Sequence, residues 1–197
     1  MTGITGGIGS GKSTIAKALI KRGLTVYDCD QEAKRIIAED EEVRKAIVTL
    51  LGDESFVNGR YNTAYVAKRV FEDRTLLEQL NRIVHPAVRK DIERKQPDFV
   101  ESAILYEAGM ADLCEKVIVV EAPEDVRIAR TIARDYKGEA TAENIGKVRA
   151  RIEAQGEFRS QDSEVSHQPS EVRMVLMNDG KRSVEELAEE VISWCKK

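Results

Sequence analysis

Near the start of the chain, Gly6-Gly7-Ile8-Gly9-Ser10-Gly11-Lys12-Ser13-Thr14 satisfies the pattern G-x-x-x-x-G-K-[ST]. No other feature narrows the choice of fold as much, because the pattern needs a strand leading into it and a helix leading out. Both flanks comply: Met1–Ile4 reads as a short apolar strand, and Lys12–Arg22 as a helix stopped at Gly23, a natural C-terminal cap. Gly6, Gly7, Gly9 and Gly11 let the backbone wind round a phosphate, so that the N–H groups from Gly6 to Thr14, that of Ser10 included, turn toward its oxygens. Lys12 supplies a point charge for the terminal phosphates and the Ser13 hydroxyl suits the shell of a Mg²⁺ ion. The helix that starts here adds the positive end of its dipole. The segment predicts binding of a nucleoside triphosphate.

The remaining pattern alternates short β-branched runs with longer helical stretches. Leu24–Asp28, Asp98–Leu105, Lys116–Glu121 and Val172–Met177 read as further strands. Pro123-Glu124-Asp125 opens a helix, and Ser183-Val184-Glu185-Glu186 is a capping box before the last one, whose Val184, Leu187, Val191 and Trp194 share a face. Strands separated by helices predict an α/β fold: a parallel five-stranded sheet with helices on both faces. Between the second and third strands only helical segments are expected, over 31–38, 41–51, 63–72 and 74–95, the last broken at Pro86, with a tight turn at Asn58-Gly59. The division expected is a core of residues 1–30 and 98–197, a helical insertion over 31–97, and a lid region over 127–160 within the core. The polar, aperiodic stretch 156–171 reads as a mobile loop or lid.

Composition removes several classes of function. The chain has 197 residues, 42% hydrophobic and 34% charged, which suits a core-forming domain rather than a disordered one. A net charge of −4 with both signs mixed excludes a protein built as a whole to coat nucleic acid. No apolar run approaches the roughly 20 residues of a membrane helix. Cys29, Cys114 and Cys195 are widely spaced and read as free thiols. With no basic-then-apolar leader at Met1, the expectation is a cytoplasmic monomer or small homo-oligomer, with no nucleic-acid or membrane partner.

Other polar residues admit two readings each. Asp28 and Asp30 end the second strand, two residues apart and on one face of an extended chain. At the carboxyl rim of a parallel sheet one of them is placed to take the proton of an attacking hydroxyl. Alternatively, Asp28 with Gln31 is an ordinary helix cap. Glu107, after the expected strand, is either a second acid for Mg²⁺ through water or an exposed helix-start glutamate. Arg127, Arg130 and Arg134 share a helix face, as a solvated stripe or as a clamp on phosphates, and Arg149 and Arg151 pose the same question. A histidine metal site is rejected, because His85 has only His167 to pair with.

Taken in order, these residues resemble the dephospho-CoA kinases, phosphate-loop kinases related to the nucleoside monophosphate kinases. The resemblance rests on Thr5–Thr14, on Asp28-Cys29-Asp30 with Ala33, and on Leu80-Asn81-x-Ile83-x-His85-Pro86-x-Val88, the most specific piece. It continues through Leu105-Tyr106-Glu107, Arg130 with Arg134, Arg151-x-x-x-Gln155 and Asn178-x-Gly180. Glu101 and Ala103 depart from it, standing where the family has aspartate and proline. The resemblance implies transfer of the γ-phosphate of ATP, with Mg²⁺, to the ribose 3′-hydroxyl of dephospho-CoA. It implies Asp30 as the base, Lys12 and the loop as the ATP site, Ser13 on the metal, and Arg130, Arg134 and Arg151 in a lid and clamp. Asn178 and Gly180 fall on the adenine side, and Asp28, His85 and Glu107 on the acceptor side. The alternatives are a nucleoside or nucleotide kinase with another acceptor, or a nucleotide-binding switch. Asn178-Asp179-Gly180-Lys181 is not the Asn-Lys-x-Asp of guanine-reading switches.

Overall fold

A computed structural model of the protein describes residues 1–155 and 172–197; the stretch 156–171, with the end of the expected lid region, lies outside the described residues. The elements run β1 (Thr2–Thr5), α1 (Lys12–Lys21), β2 (Val26–Asp28), α2 (Cys29–Glu39), α3 (Glu41–Leu51), β3 (Phe56–Val57), β4 (Arg60–Tyr61), α4 (Thr63–Glu72) and α5 (Arg74–Lys95). They continue through β5 (Phe99–Glu101), β6 (Lys116–Glu121), α6 (Glu124–Asp135), α7 (Ala142–Ala154), β7 (Val172–Met177) and α8 (Val184–Cys195). Among the described residues no helix is long and apolar enough to cross a membrane.

The chain divides into two compact units, Met1–Val26 with Pro97–Lys197, and Tyr27–Gln96. The first is built on a parallel sheet of order β2-β5-β1-β6-β7. Val117, Ile118, Val119 and Val120 of β6 are all fully buried, as a strand covered on both faces of a parallel sheet requires. On one face, Ile15 and Leu19 of α1 and Leu187 and Val191 of α8 pack with Ile4, Phe99, Ile118, Val120 and Leu176. The box expected before α8 is present, with Ser183 and Glu186 each satisfying the other's backbone N–H. A separate apolar cluster joins α6 and α7 through Ile128, Ile132, Val148 and Ile152, and Ile8 packs against it. The pattern did not announce α7, which starts at a Thr141 cap.

The second unit is helical apart from a two-stranded hairpin. Ile36, Ile37, Val43, Ile47, Val66, Leu80, Val84, Val88 and Ile92 supply its buried apolar side chains. A cluster of charges ties α2 to α5. Asp91, only 8% exposed, accepts from Tyr27 Oη at 3.0 Å and from Arg35 Nη2 at 2.7 Å. Arg94 and Lys95 also pair with it. Burial works against ionisation of Asp91, but hydrogen bonds from Arg94, Lys95 and Tyr27 outweigh it and bring its pKa to about 2.

Four expectations are corrected. The strand predicted over 98–105 is only Phe99–Glu101, because the chain turns at Ser102, whose Oγ accepts from the Ile104 N–H. The supposedly all-helical insertion contains the hairpin β3–β4, formed around Asn58-Gly59 by the pairs Phe56–Tyr61 and Val57–Arg60. α5 is not broken at Pro86: the helix continues through it, and the carbonyl that loses its helical donor there belongs to the exposed Arg82. Finally, α2 begins at Cys29, so Asp28 and Asp30 are not related by a strand's alternation. Asp28 accepts from the Gln31 N–H and Asp30 lies in the first helical turn.

Candidate active site

Six residues separate β1 from α1, and the chain uses them to make a cradle whose polar groups are tied down from behind. Gly11, the cap of α1, has φ +97°, a left-handed conformation that glycine adopts freely, and a Cβ there would lie 2.2 Å from Asn178 Nδ2. Lys12 Nζ donates to Gly6 O at 2.8 Å and to Gly7 O at 3.3 Å, and the Ser10 N–H donates to Gly7 O. The Ser10 hydroxyl is buried and has no partner among the described residues.

Three side chains from distant parts of the first unit hold the loop's carbonyls. Arg127 Nε donates to Ile8 O at 2.8 Å. Arg130 Nη1 and Asn178 Nδ2 both donate to Ser10 O, at 3.2 and 2.9 Å. Arg130 also donates to Asn178 Oδ1 at 3.0 Å and to its backbone carbonyl at 2.9 Å. Gly180, with φ +86°, lies beside the same guanidinium. Asn178 is buried, and both ends of its amide serve the loop in this way. A fourth contact runs the other way: the Ile8 N–H donates to Gln155 Oε1 at 2.7 Å.

The metal-binding prospect at Ser13 acquires a partner that the sequence reading missed. Ser13 Oγ donates to Glu101 Oε1 at 3.4 Å, and Glu101 is buried at the end of β5. Glu107, the acid chosen from sequence, lies beyond the strand's true end and is exposed. The available signal was a single acid closing the apolar Phe99-Val100 run, at a position where the family has aspartate. A hydroxyl and a carboxylate oxygen in contact fit a small hard cation that completes its shell with phosphate oxygens and water. No cage of three His, Cys, Asp or Glu side chains exists among the described residues.

The arginine stripe divides. Arg127 and Arg130 face the loop, whereas Arg134 pairs with its neighbour Asp135 at 2.6 Å. Arg151 of α7 shares that carboxylate at 2.7 Å. The Arg134 and Arg151 hydrogen bonds hold the Asp135 carboxyl down at about 2. Arg149 pairs with Glu124 and stays on the outside. Arg127 was named in the stripe but not as a site residue, and its contact with the loop is visible only in the fold. In the second unit, His85 is half-buried on α5 and burial depresses its pKa. Asp30 is exposed at the start of α2.

The chain is similar to several known proteins. The family model for dephospho-CoA kinase covers residues 1–181. A dephospho-CoA kinase of Porphyromonas gingivalis is 42% identical over 139 residues, spanning 68% of this chain and 69% of that one. One of Bacteroides fragilis is 36% identical over 187 residues, or 91% of this chain and 85% of that one. Among solved structures, TT1252 from Thermus thermophilus superposes with a TM-score of 0.74 at 30% identity, over 100% of this chain and 97% of that one.

Proposed function

The chain belongs to the dephospho-CoA kinase family, and from that premise we propose how its own residues phosphorylate dephospho-CoA with ATP, the last step of coenzyme A biosynthesis. Phosphoryl transfer asks the protein for position and charge rather than for covalent chemistry. The loop Gly6–Thr14 takes the β- and γ-phosphates on its N–H groups, with Lys12 as the counter-charge. Residues 1–30 and 98–197 carry the nucleotide, and residues 31–97 receive the acceptor.

Ser13 and Glu101 are the residues that would hold a Mg²⁺ ion here. Such an ion neutralises charge that builds on the phosphate oxygens. Asp30 orients the ribose 3′-hydroxyl and takes its proton as the bond to phosphorus forms. Arg130 already lies against the loop, and Arg134 and Arg151 add positive charge along α6 and α7. Asn178 and Gly180 line the nucleotide side next to Arg130, and Asp28, His85 and Glu107 contribute to acceptor binding.

The observation that carries the reading is the contact of Ser13 with the buried Glu101 beneath a complete phosphate loop. It supports a site where a metal ion and the nucleotide's phosphates would meet the end of β5. The test is ADP release from Mg²⁺-ATP with and without dephospho-CoA, beside a panel of nucleosides and nucleoside monophosphates. ADP formation that requires dephospho-CoA and yields CoA is expected. Turnover without an acceptor, or only with another one, overturns the assignment of the acceptor.

A further inference from the structure

Residue 8 of the phosphate loop is held at all three of its groups by α6 and α7. Its carbonyl oxygen accepts from Arg127 Nε at 2.8 Å, its N–H donates to Gln155 Oε1 at 2.7 Å, and its side chain packs into the Ile128, Ile132, Val148 and Ile152 cluster. No carboxylate forms an ion pair with Arg127 among the described residues, and the nearest acid to influence it, Glu124, pairs with Arg149. Its Nη2 lies so close to Gly7 that a Cβ there would be 2.4 Å away. Burying a cation costs free energy unless it is hydrogen-bonded, so Arg127 depends on this carbonyl and ties down its orientation; what counts is whether that orientation matters to the loop.

It does matter, because a peptide unit is planar and trans. The carbonyl of residue 8 and the N–H of residue 9 belong to one plane and point in opposite directions. Fixing Ile8 O on Arg127 therefore fixes the direction of the Gly9 N–H, and Gln155 sets the preceding plane through the Ile8 N–H. We propose that Arg127 is a positioning residue for the phosphate cradle: acting through Ile8 O, with Gln155 as its counter-clamp, it aims the Gly9 N–H at the nucleotide's phosphates and lends them positive charge in addition to that of Lys12 and Arg130. The inference rests on the nucleotide site proposed above.

The experiment measures Mg²⁺-ATP binding by titration calorimetry, with KM for dephospho-CoA determined in parallel. Loss of a hydrogen bond from a charged donor corresponds to roughly 10–100-fold in affinity. Arg127→Met is expected to raise the Kd for ATP by that factor, to leave the acceptor's KM unchanged, and to be largely rescued by Arg127→Lys, which restores a charged donor. A wild-type protein that does not bind ATP defeats the nucleotide reading itself. Wild-type binding with an unchanged Kd in Arg127→Met, equal loss in the Met and Lys variants, or equal weakening of both substrates overturns only the role of Arg127. If Arg127→Met does not fold, Gln155→Ala is the second variant: several-fold weaker ATP binding is expected, and wild-type affinity refutes the clamp.

Discussion

Replacing Gly7 by alanine is a small change with a calculable consequence. A Cβ at residue 7 would stand 2.4 Å from Arg127 Nη2 and 2.8 Å from its Cζ, whereas ordinary contact begins near 3.4 Å. Gly7 is not among the residues with positive φ, so alanine meets no backbone strain there. The cost falls on the guanidinium, which must withdraw by about 1 Å and so break a 2.8 Å hydrogen bond to Ile8 O. A bond from a charged donor contributes roughly 1.5–3 kcal/mol. With about 1.4 kcal/mol for each factor of ten, Gly7→Ala raises the Kd for Mg²⁺-ATP by about 10–100-fold. Calorimetric titration of Gly7→Ala, Arg127→Ala and the double variant closes the cycle. Both single changes remove the same bond, so the double variant binds like Arg127→Ala alone. Gly9 provides the contrast: its Cβ would meet the Arg127 backbone, 2.4 Å from the carbonyl oxygen, at a φ of +76°. A helix backbone cannot swing aside as a side chain can, and truncating Arg127 leaves the Gly9→Ala defect in place. Wild-type affinity in Gly7→Ala, or effects of the two single changes that add, would refute the reasoning.

Three further outcomes are expected. Asp30→Asn keeps ATP affinity but lowers kcat by about 10²–10⁴-fold, the usual scale for a general base; near wild-type turnover removes Asp30 from the chemistry. Glu101→Gln raises the Mg²⁺ concentration for half-maximal activity by about 10-fold or more, as loss of a partner that orients metal-bound groups does. An unchanged Mg²⁺ midpoint refutes that role. The Asp91 carboxyl is held at about 2 against an ordinary 3.8, so the stability it adds is present above the higher value and is lost as pH falls through the lower one. Asp91→Asn therefore costs about 2 kcal/mol at neutral pH in urea melts followed by circular dichroism, and a gap that fails to shrink between pH ~4 and ~2 contradicts this account.

The features legible from the letters alone each lie within a few residues of chain. The phosphate loop is legible because nine consecutive residues make it, and the α8 cap because Ser183 and Glu186 are one turn apart. β6 is legible because its valines and isoleucine form one unbroken run. Even the two readings of Asp28 and Asp30 were local in kind: cap and catalytic acid both come from the same few letters, and the Gln31 N–H shows the cap at Asp28 to be present. The tertiary structure alone decided which of several similar residues meets the loop. Glu101 and Glu107 are both acids near the end of an apolar run, and the turn at Ser102 decides that Glu101, 88 residues from Ser13, is the one in contact. Arg127 and Arg134 share one helix face, yet one binds Ile8, 119 residues away, while the other pairs with the adjacent Asp135. Helical periodicity reports which side of a helix a residue occupies, but not how far along the axis a second element crosses it. That position is set by packing of the whole first unit, and the choice among equivalent arginines and glutamates is made there.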